Sequence, residues 1–165
     1  MAKIAFRKLP DYTHFLGRFS AAFARDEILN KAVYAGGKVV ADQIRANLEA
    51  LPEEKFRQLK DGEKFSGVPE AQKQDLIASF GLTPIERDNT GFVNTKAGFD
   101  GYGSHPSKKY PQGLPNQLLA RSIESGSSVR DKHPFVRPAV QATRQKAVEE
   151  MEKVINENID QIYRG

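Results

Sequence analysis

The chain has 165 residues, of which 25 are basic and 21 acidic, giving a formal charge of +4, and it contains no cysteine. That length suits a single domain able to bury its own core, and the missing cysteines exclude disulfides, thiolate chemistry and cysteine-rich zinc sites. The slight positive balance permits contact with nucleic acid without arguing for it, because basic and acidic residues are interleaved.

No run reaches the ~18 apolar residues of a membrane-spanning helix. The first residues, MAKIAFRKLPDYTHF, lack the apolar centre of a secretory signal, so a cytosolic origin is expected. Ala2–Lys8 reads as a short strand or extended lead. Tyr12, Phe15, Leu16 and Phe19 then space as a short helix, with Asp11 placed to cap it. Together, residues 1–25 form a candidate arm that docks on its own domain or on a neighbouring subunit.

The clearest helix of the first half is predicted over 26–51. Ile28, Leu29, Ala32, Val33, Val40, Ile44, Leu48 and Leu51 recur at three- and four-residue steps. Asp26 and Glu27 suit its positive end, and Pro52 stops it. Gly36 and Gly37 fall mid-helix, where each costs about 1 kcal/mol relative to Ala. Either another backbone comes close there or the helix kinks.

Residues 52–67 are charged and weakly periodic, and predict a short surface helix carrying Phe56 and Leu59, then a loop ending near Gly67. A second short helix is predicted over 69–80, with Pro69 in an early position, Leu76, Ile77 and Phe80 facing inward, and Gly81 as its stop. The period then changes. Residues 82–88 and 91–99, separated by Asn89-Thr90-Gly91, predict an antiparallel hairpin in which Pro84 marks an edge or a break. Residues 99–115 form a long, flexible Gly/Pro-rich loop in which Tyr102, His105, Lys108, Lys109 and Tyr110 are interleaved. Last comes a helix over 138–163, with Val140, Ala147, Val148, Met151, Val154, Ile155, Ile159 and Ile162 as its apolar stripe. The expected fold is α+β: a small antiparallel sheet packed by two long helices, plus short helices.

Chemistry is sparse in this sequence. His14, His105 and His133 show no metal-binding spacing, and no nucleophile elbow, Walker loop or dinucleotide fingerprint occurs. Glu53-Glu54 and Glu149-Glu150 read as solvating pairs. Asp88, Asp100 and His105 are where a divalent ion would sit in a metal-dependent enzyme, but the requirements of an active site are otherwise unfilled. Neither an enzymatic role nor a cofactor is expected. The basic loop around 101–115 supports an alternative reading as a small nucleic-acid-binding protein, through phosphate contacts and stacking by Tyr102, Lys108, Lys109 and Tyr110.

The densest local chemistry lies in 118–139. Ala120-Arg121-Ser122-Ile123-Glu124-Ser125-Gly126-Ser127 is followed by His133-Pro134-Phe135-Val136-Arg137-Pro138-Ala139, which leads into the last helix. Pro134 and Pro138 favour extended backbone at His133 and Arg137. Phe135 becomes a buried anchor under the last helix, and Glu124 and Arg137 are placed to pair, within one subunit or across an interface.

These two motifs, A-x-x-I-E-x-G-[ST] and x-P-F-x-R-P-A, follow a long helix, a short helix and a hairpin. In that order the chain resembles the minor tail and neck proteins of long-tailed bacteriophages, the tail-completion or head–tail joining group that includes lambda minor tail protein Z. The resemblance is closest over 118–140. It implies a structural virion protein at the neck or the head-proximal end of the tail, assembled as a cyclic homo-oligomer, expected as a hexamer, with DNA passing through its lumen. The implied partners are head-closure or connector proteins and the tail terminator or tail tube, with no membrane. Glu124, Arg130, Phe135 and Arg137 become the candidate assembly residues. The connection over 99–115 is longer than is usual in that family, so its role is not carried over.

Overall fold

The computed structural model of the protein describes residues 9–24 and 27–164, so the strand or lead expected at Ala2–Lys8 lies outside the described residues. Within them the fold is α+β. Helix α1 is Leu9–Ala24, α2 is Glu27–Glu49, α3 is Glu70–Ser79, α4 is Asn116–Ser125 and α5 is Val136–Arg164. The strands are short: β1 Glu53–Glu54, β2 Val68–Pro69, β3 Phe80–Leu82, β4 Glu86–Arg87, β5 Val93–Asn94 and β6 Ala97–Phe99.

Helices α2 and α5 run antiparallel and make the longest contact of the molecule. Their seam is built from small residues: Ala32 and Gly36 on α2, and Ala139, Thr143 and Ala147 on α5, are all buried. A Cβ on Gly36 would lie 2.6 Å from Met151 Cγ and 3.2 Å from the Ala147 carbonyl oxygen. Close approach of a neighbouring helix, not a kink, therefore accounts for Gly36. Gly37 makes room for Thr95 of the hairpin, 2.8 Å from the position of its missing Cβ. Thr143 enters the seam with its hydroxyl satisfied, donating to the Ala139 carbonyl at 2.7 Å.

The main core lies at the C-terminal half of α2. Ala41, Ile44, Leu48 and Leu51 meet Val68, Leu76, Phe80, Leu119, Ala120, Ile123, Phe135 and Ala139. Phe135, Leu48, Leu76, Leu119, Ile123 and Val68 are the largest fully enclosed side chains. Each such burial contributes about 1.5–3 kcal/mol. At the other end, α1 packs on α2 and α5, with Phe15 edge-on to Tyr163 at 5.5 Å between ring centroids.

Several expectations change. Helix α1 starts at Leu9, so Asp11 lies inside its first turn and not at its cap. The surface helix expected after Pro52 is absent. Instead β1 pairs in parallel with β2, Glu53 opposite Val68 and Glu54 opposite Pro69. The chain between them is closed by the Glu54 carboxylate, which accepts from Ser66 N at 2.7 Å and Gly67 N at 3.0 Å. Phe65 is buried there, and weak helical periodicity gives way to this tertiary pairing. Helix α3 ends because Phe80 turns extended and joins the sheet, not through Gly81. Arg45 of α2 donates to the Ile77 and Phe80 carbonyls at 3.3 and 3.0 Å, covering acceptors that the helix end leaves open. On α5 the buried stripe runs through Ala139, Thr143 and Ala147, while Val140 and Val148 are over 40% exposed. The close seam selects small side chains, which displaces the larger valines to the flank.

The hairpin forms in two short ladders. Phe80, Gly81 and Leu82 face Phe99, Gly98 and Ala97, then Glu86 and Arg87 face Asn94 and Val93. Thr83 N still donates to the Lys96 carbonyl at 2.8 Å, so the register slips by one residue between Thr83 and Glu86. Pro84 sits in that bulge, where its missing N–H costs no ladder bond. Asp88 organises the tip, accepting from Thr90 Oγ1 at 2.6 Å and from Thr90 N and Phe92 N, both at 2.9 Å. Gly91 takes φ +88° to close the turn.

Two outcomes test these contacts. Gly36→Ala gains about 1 kcal/mol of helix propensity but meets Met151. In a Met151→Ala background it should therefore be more stabilising than in the parent, read from urea melts of the four proteins. Equal effects in both backgrounds would show that Met151 is not the obstacle. The hydrogen bonds to Asp88, first that from the Thr90 hydroxyl, hold its carboxyl below the ordinary value of 3.8. Its contribution to the turn is present above the unfolded pKa and lost as pH falls through the lower folded one. Carboxyl resonances followed by NMR should show Asp88 titrating below 3.8, with the Thr90 and Phe92 amides moving at the same midpoint. A midpoint at or above that value would contradict the arrangement.

Candidate functional site

The stretch that stood out in the sequence folds into one corner between α4 and α5. Its centre is Glu124, near the end of α4. Glu124 Oε2 accepts from the backbone N–H groups of Phe135 at 2.7 Å and Val136 at 2.9 Å, and Oε1 accepts from Arg137 N at 3.0 Å. The start of a helix leaves its first N–H groups without partners, and a carboxylate there also meets the positive end of the helix dipole. Pro138 has no N–H to satisfy. Helix α5 therefore begins at Val136, two residues before Pro138, and Arg137 is helical where extended backbone was expected. Proline in the first turn is tolerated because its absent donor would be unpaired there in any case.

The expected Glu124–Arg137 ion pair is a minor feature. Arg137 Nε is 3.9 Å from Glu124 Oε1, and its side chain is 70% exposed against 13% for Glu124. Phe135 is the anchor that was expected, 1% exposed and edge-on to Phe99. The Phe135 carbonyl accepts from Asn47 Nδ2 of α2 at 3.0 Å, so the corner is tied to both long helices.

Arg130 is turned inward. Its Nη1 donates to the Gly67 carbonyl at 3.1 Å and its Nη2 to Gln72 Oε1 at 2.7 Å, and its guanidinium lies 5.3 Å from the centre of the Phe65 ring. Burial lowers its pKa from the ordinary value, an effect that the charge of Glu54 opposes. Around it, Phe65 N donates to the Val129 carbonyl at 3.0 Å and Asp131 N to the Phe65 carbonyl at 2.8 Å. His133 Nε2 is 2.6 Å from the Ser66 carbonyl oxygen, and His133 N donates to the Ile123 carbonyl. Of the four candidate assembly residues, Arg130 and Phe135 are thus enclosed by their own chain, Glu124 works as a helix cap, and Arg137 faces solvent.

The loop over 99–115 is fixed at its base. Gly103 N donates to the Leu114 carbonyl at 2.8 Å and Asn116 N to the Gly101 carbonyl at 3.1 Å, while Asp75 of α3 accepts from Ser104 N and Oγ. Gly113 holds φ +99° against Gly103, where no side chain would fit. Tyr102 is exposed, and at the tip Lys108 and Lys109 are exposed, with Lys109 Nζ 5.5 Å from the Tyr110 ring centre. Asp88 is spent on its turn, Asp100 lies at the base of the loop and His105 faces another surface, so the three candidate metal residues do not converge. Among the described residues no group of three or more His, Asp or Glu could hold a metal ion. Among the described residues, the buried Asn116 Oδ1 has no hydrogen-bond partner.

Sequence reasoning missed a groove of about 730 Å³ beside the corner. Its walls are Glu53–Phe56, Pro69–Gln72, His105 and Pro106. Phe56 is 75% exposed there, although it stacks on Phe65 at 6.0 Å. Glu53 reaches back to the buried Lys73, whose Nζ also donates to the Leu51 carbonyl at 3.1 Å. The only sequence signal for this groove was an aromatic residue inside a charged stretch. Comparison with family models, with curated proteins and with solved structures gave no match.

The two sides of the Glu124–Arg137 contact differ in weight, and substitution separates them. Glu124→Ala leaves three backbone donors without acceptors and should cost about 2–3 kcal/mol. Glu124→Gln, which keeps one oxygen, should fall between it and the parent. Arg137→Ala should cost under about 1 kcal/mol. Chemical denaturation ranks them, and an Arg137→Ala loss as large as that of Glu124→Ala would return the corner to an ion-pair design.

Proposed function

We propose that this chain is a structural virion component of a long-tailed phage, acting in tail completion or head–tail joining as a ring around the DNA channel. The observation that carries the reading is the pair of motifs at 120–127 and 133–139. The residues they share with that family are those with clear physical work in the corner: Glu124 as the cap of α5, Phe135 as its anchor, and Pro138 in its first turn. Such a corner fixes the direction in which a long helix leaves, which suits a subunit that must repeat one geometry around an axis.

A closed ring needs two different patches that meet head to tail. Leu118, Val129, Val140 and Val148, on α4, the turn and α5, are all between 42% and 51% exposed. Large apolar side chains held in the open on the elements of one corner are what association covers. The residues named for assembly thus divide into those that shape the corner, Glu124, Arg130 and Phe135, and those beside it that meet a neighbour, Arg137 among them.

The alternative, nucleic-acid binding through the 101–115 loop, has Lys108 and Lys109 exposed in its favour. Against it, the surface next to the loop carries the carboxylates of Glu53, Glu54 and Glu70, which repel phosphate. In the assembly reading the basic tip meets a neck or tail protein, or lines the lumen.

The deciding experiment is electron microscopy of phage particles made without this gene. Filled heads separated from complete tails are the expected outcome, with infectivity restored by the gene in trans. Normal infectious virions would sink the reading.

A further inference from the structure

We propose that the base of the 99–115 loop is a calcium site, formed by oxygens of Asp75, Asp100 and Asn116. The proposal does not rest on the assembly reading.

Asn116 opens α4 and is 3% exposed. Its Nδ2 donates to the Asp100 carbonyl at 2.9 Å, which fixes the orientation of the amide. Its Oδ1 then lies beside Gly103 and receives no hydrogen bond among the described residues. A buried acceptor calls for a partner, and here it faces other acceptors. A Cβ built on Gly103 would stand 3.1 Å from Asp75 Oδ2, 3.5 Å from the Leu114 carbonyl oxygen and 3.8 Å from Asn116 Oδ1. Oxygens from three segments thus border one space, which Gly103 keeps clear of any side chain.

The surrounding pocket, of about 540 Å³, has Asp75, Asp100, Tyr102 and Asn116 among its walls. Asp75 Oδ2 accepts from Ser104 N at 2.8 Å and Ser104 Oγ at 3.0 Å, and Asp100 Oδ1 accepts from Gly101 N at 2.7 Å. The second oxygen of each carboxylate is uncommitted among the described residues, and neither carboxylate has a basic group within ion-pair distance there. The last turn of α3 and the first turn of α4 both meet this pocket, so the two helix dipoles oppose one another. The carboxylates therefore set the sign, and the ligand is a cation.

Every donor is an oxygen, which selects a hard ion. Three separate segments and an exposed side, at Asp100 and Tyr102, suit Ca²⁺, which accepts six to eight oxygens at about 2.3–2.6 Å in flexible geometry and takes some from water. Mg²⁺ demands near-octahedral ligands at about 2.0–2.1 Å. Two carboxylates and an amide place the affinity in the weak range, about 10⁻⁴–10⁻³ M. The ion ties α3 to α4 through the base of the loop, and so steadies the tip that carries Lys108 and Lys109.

The test uses the full chain, stripped with EDTA and titrated with CaCl₂ up to about 10 mM, beyond the weaker limit of that range. Calorimetry should show one saturable site per chain. In NMR spectra the backbone amides of Gly101, Gly103 and Ser104 and the side-chain amide of Asn116 should move with a single midpoint. Asp75→Asn and Asp100→Asn should each weaken binding about tenfold or more, and MgCl₂ should bind about tenfold less tightly than CaCl₂. Glu149→Gln, at an exposed carboxylate on α5, should change nothing. Melts without calcium check folding, and Asp100, being exposed, gives the variant that keeps the fold if loss of the Ser104 contacts unsettles Asp75→Asn. No saturable binding would overturn the proposal and leave an ordered water as the partner of Asn116. Binding that survives Asp100→Asn unchanged, or that moves amides elsewhere in the chain, would overturn it as well.

Discussion

One carboxylate decides how the two halves of this fold join. Glu124 holds the Phe135, Val136 and Arg137 N–H groups at once, and so converts the end of α4 into the start of α5. Everything in the corner depends on that geometry. It sets Phe135 into the core, and it lets Pro138 sit where a proline costs nothing. Helix α5 is 29 residues long, about 43 Å at the usual rise. A tilt of about 10° at its cap would carry its far end about 7 Å sideways. The direction of the helix is therefore set at the cap and then held by the seam with α2.

That seam works by subtraction. Gly36 has no side chain, and Ala32, Ala139, Thr143 and Ala147 have little, so the two helices come close enough for backbone to approach Cβ position. Dense contact replaces large apolar area there, as dispersion rewards closeness. The larger apolar side chains are concentrated at the corner end, where Leu48, Leu76, Leu119, Ile123 and Phe135 are enclosed. The molecule is thus anchored at one end by volume and along its length by fit.

What the sequence made legible follows from how local each signal is. The long helices, the α+β class, the hairpin with its turn at 89–91, and the buried anchor at Phe135 each announce themselves within a few residues, by period, by turn chemistry or by proline. Features that need two distant segments were hidden. The pairing of Glu53–Glu54 with Val68–Pro69 has strands of two residues, too short for any alternation to register. Val140 and Val148 look like core residues until the small-residue seam rotates the buried face past them. Arg130 was expected among the assembly residues, and its inward role depends on a carbonyl at Gly67 and an amide at Gln72, 63 and 58 residues away. The Glu124–Arg137 pair is present at 3.9 Å, but the three backbone donors that Glu124 also holds were not foreseen, since a side-chain pair is easier to imagine.

The segment between β1 and β2 has a property of its own. Its two ends are clamped by the Glu54 carboxylate, and Arg57 spans its interior, bonding Glu63 at 2.6 Å and the Lys64 carbonyl at 3.1 Å. At its outer edge Asp61 and Gly62 are exposed, with Gly62 at φ +81° and open space around it. The closure of this loop is already complete before its outermost turn, and lengthening a closed loop adds only a slowly growing entropic cost. Asp61-Gly62 is consequently a natural port for inserted sequence. An epitope or a small reporter domain placed there would project from the body at a known point without touching the corner, the seam or the groove.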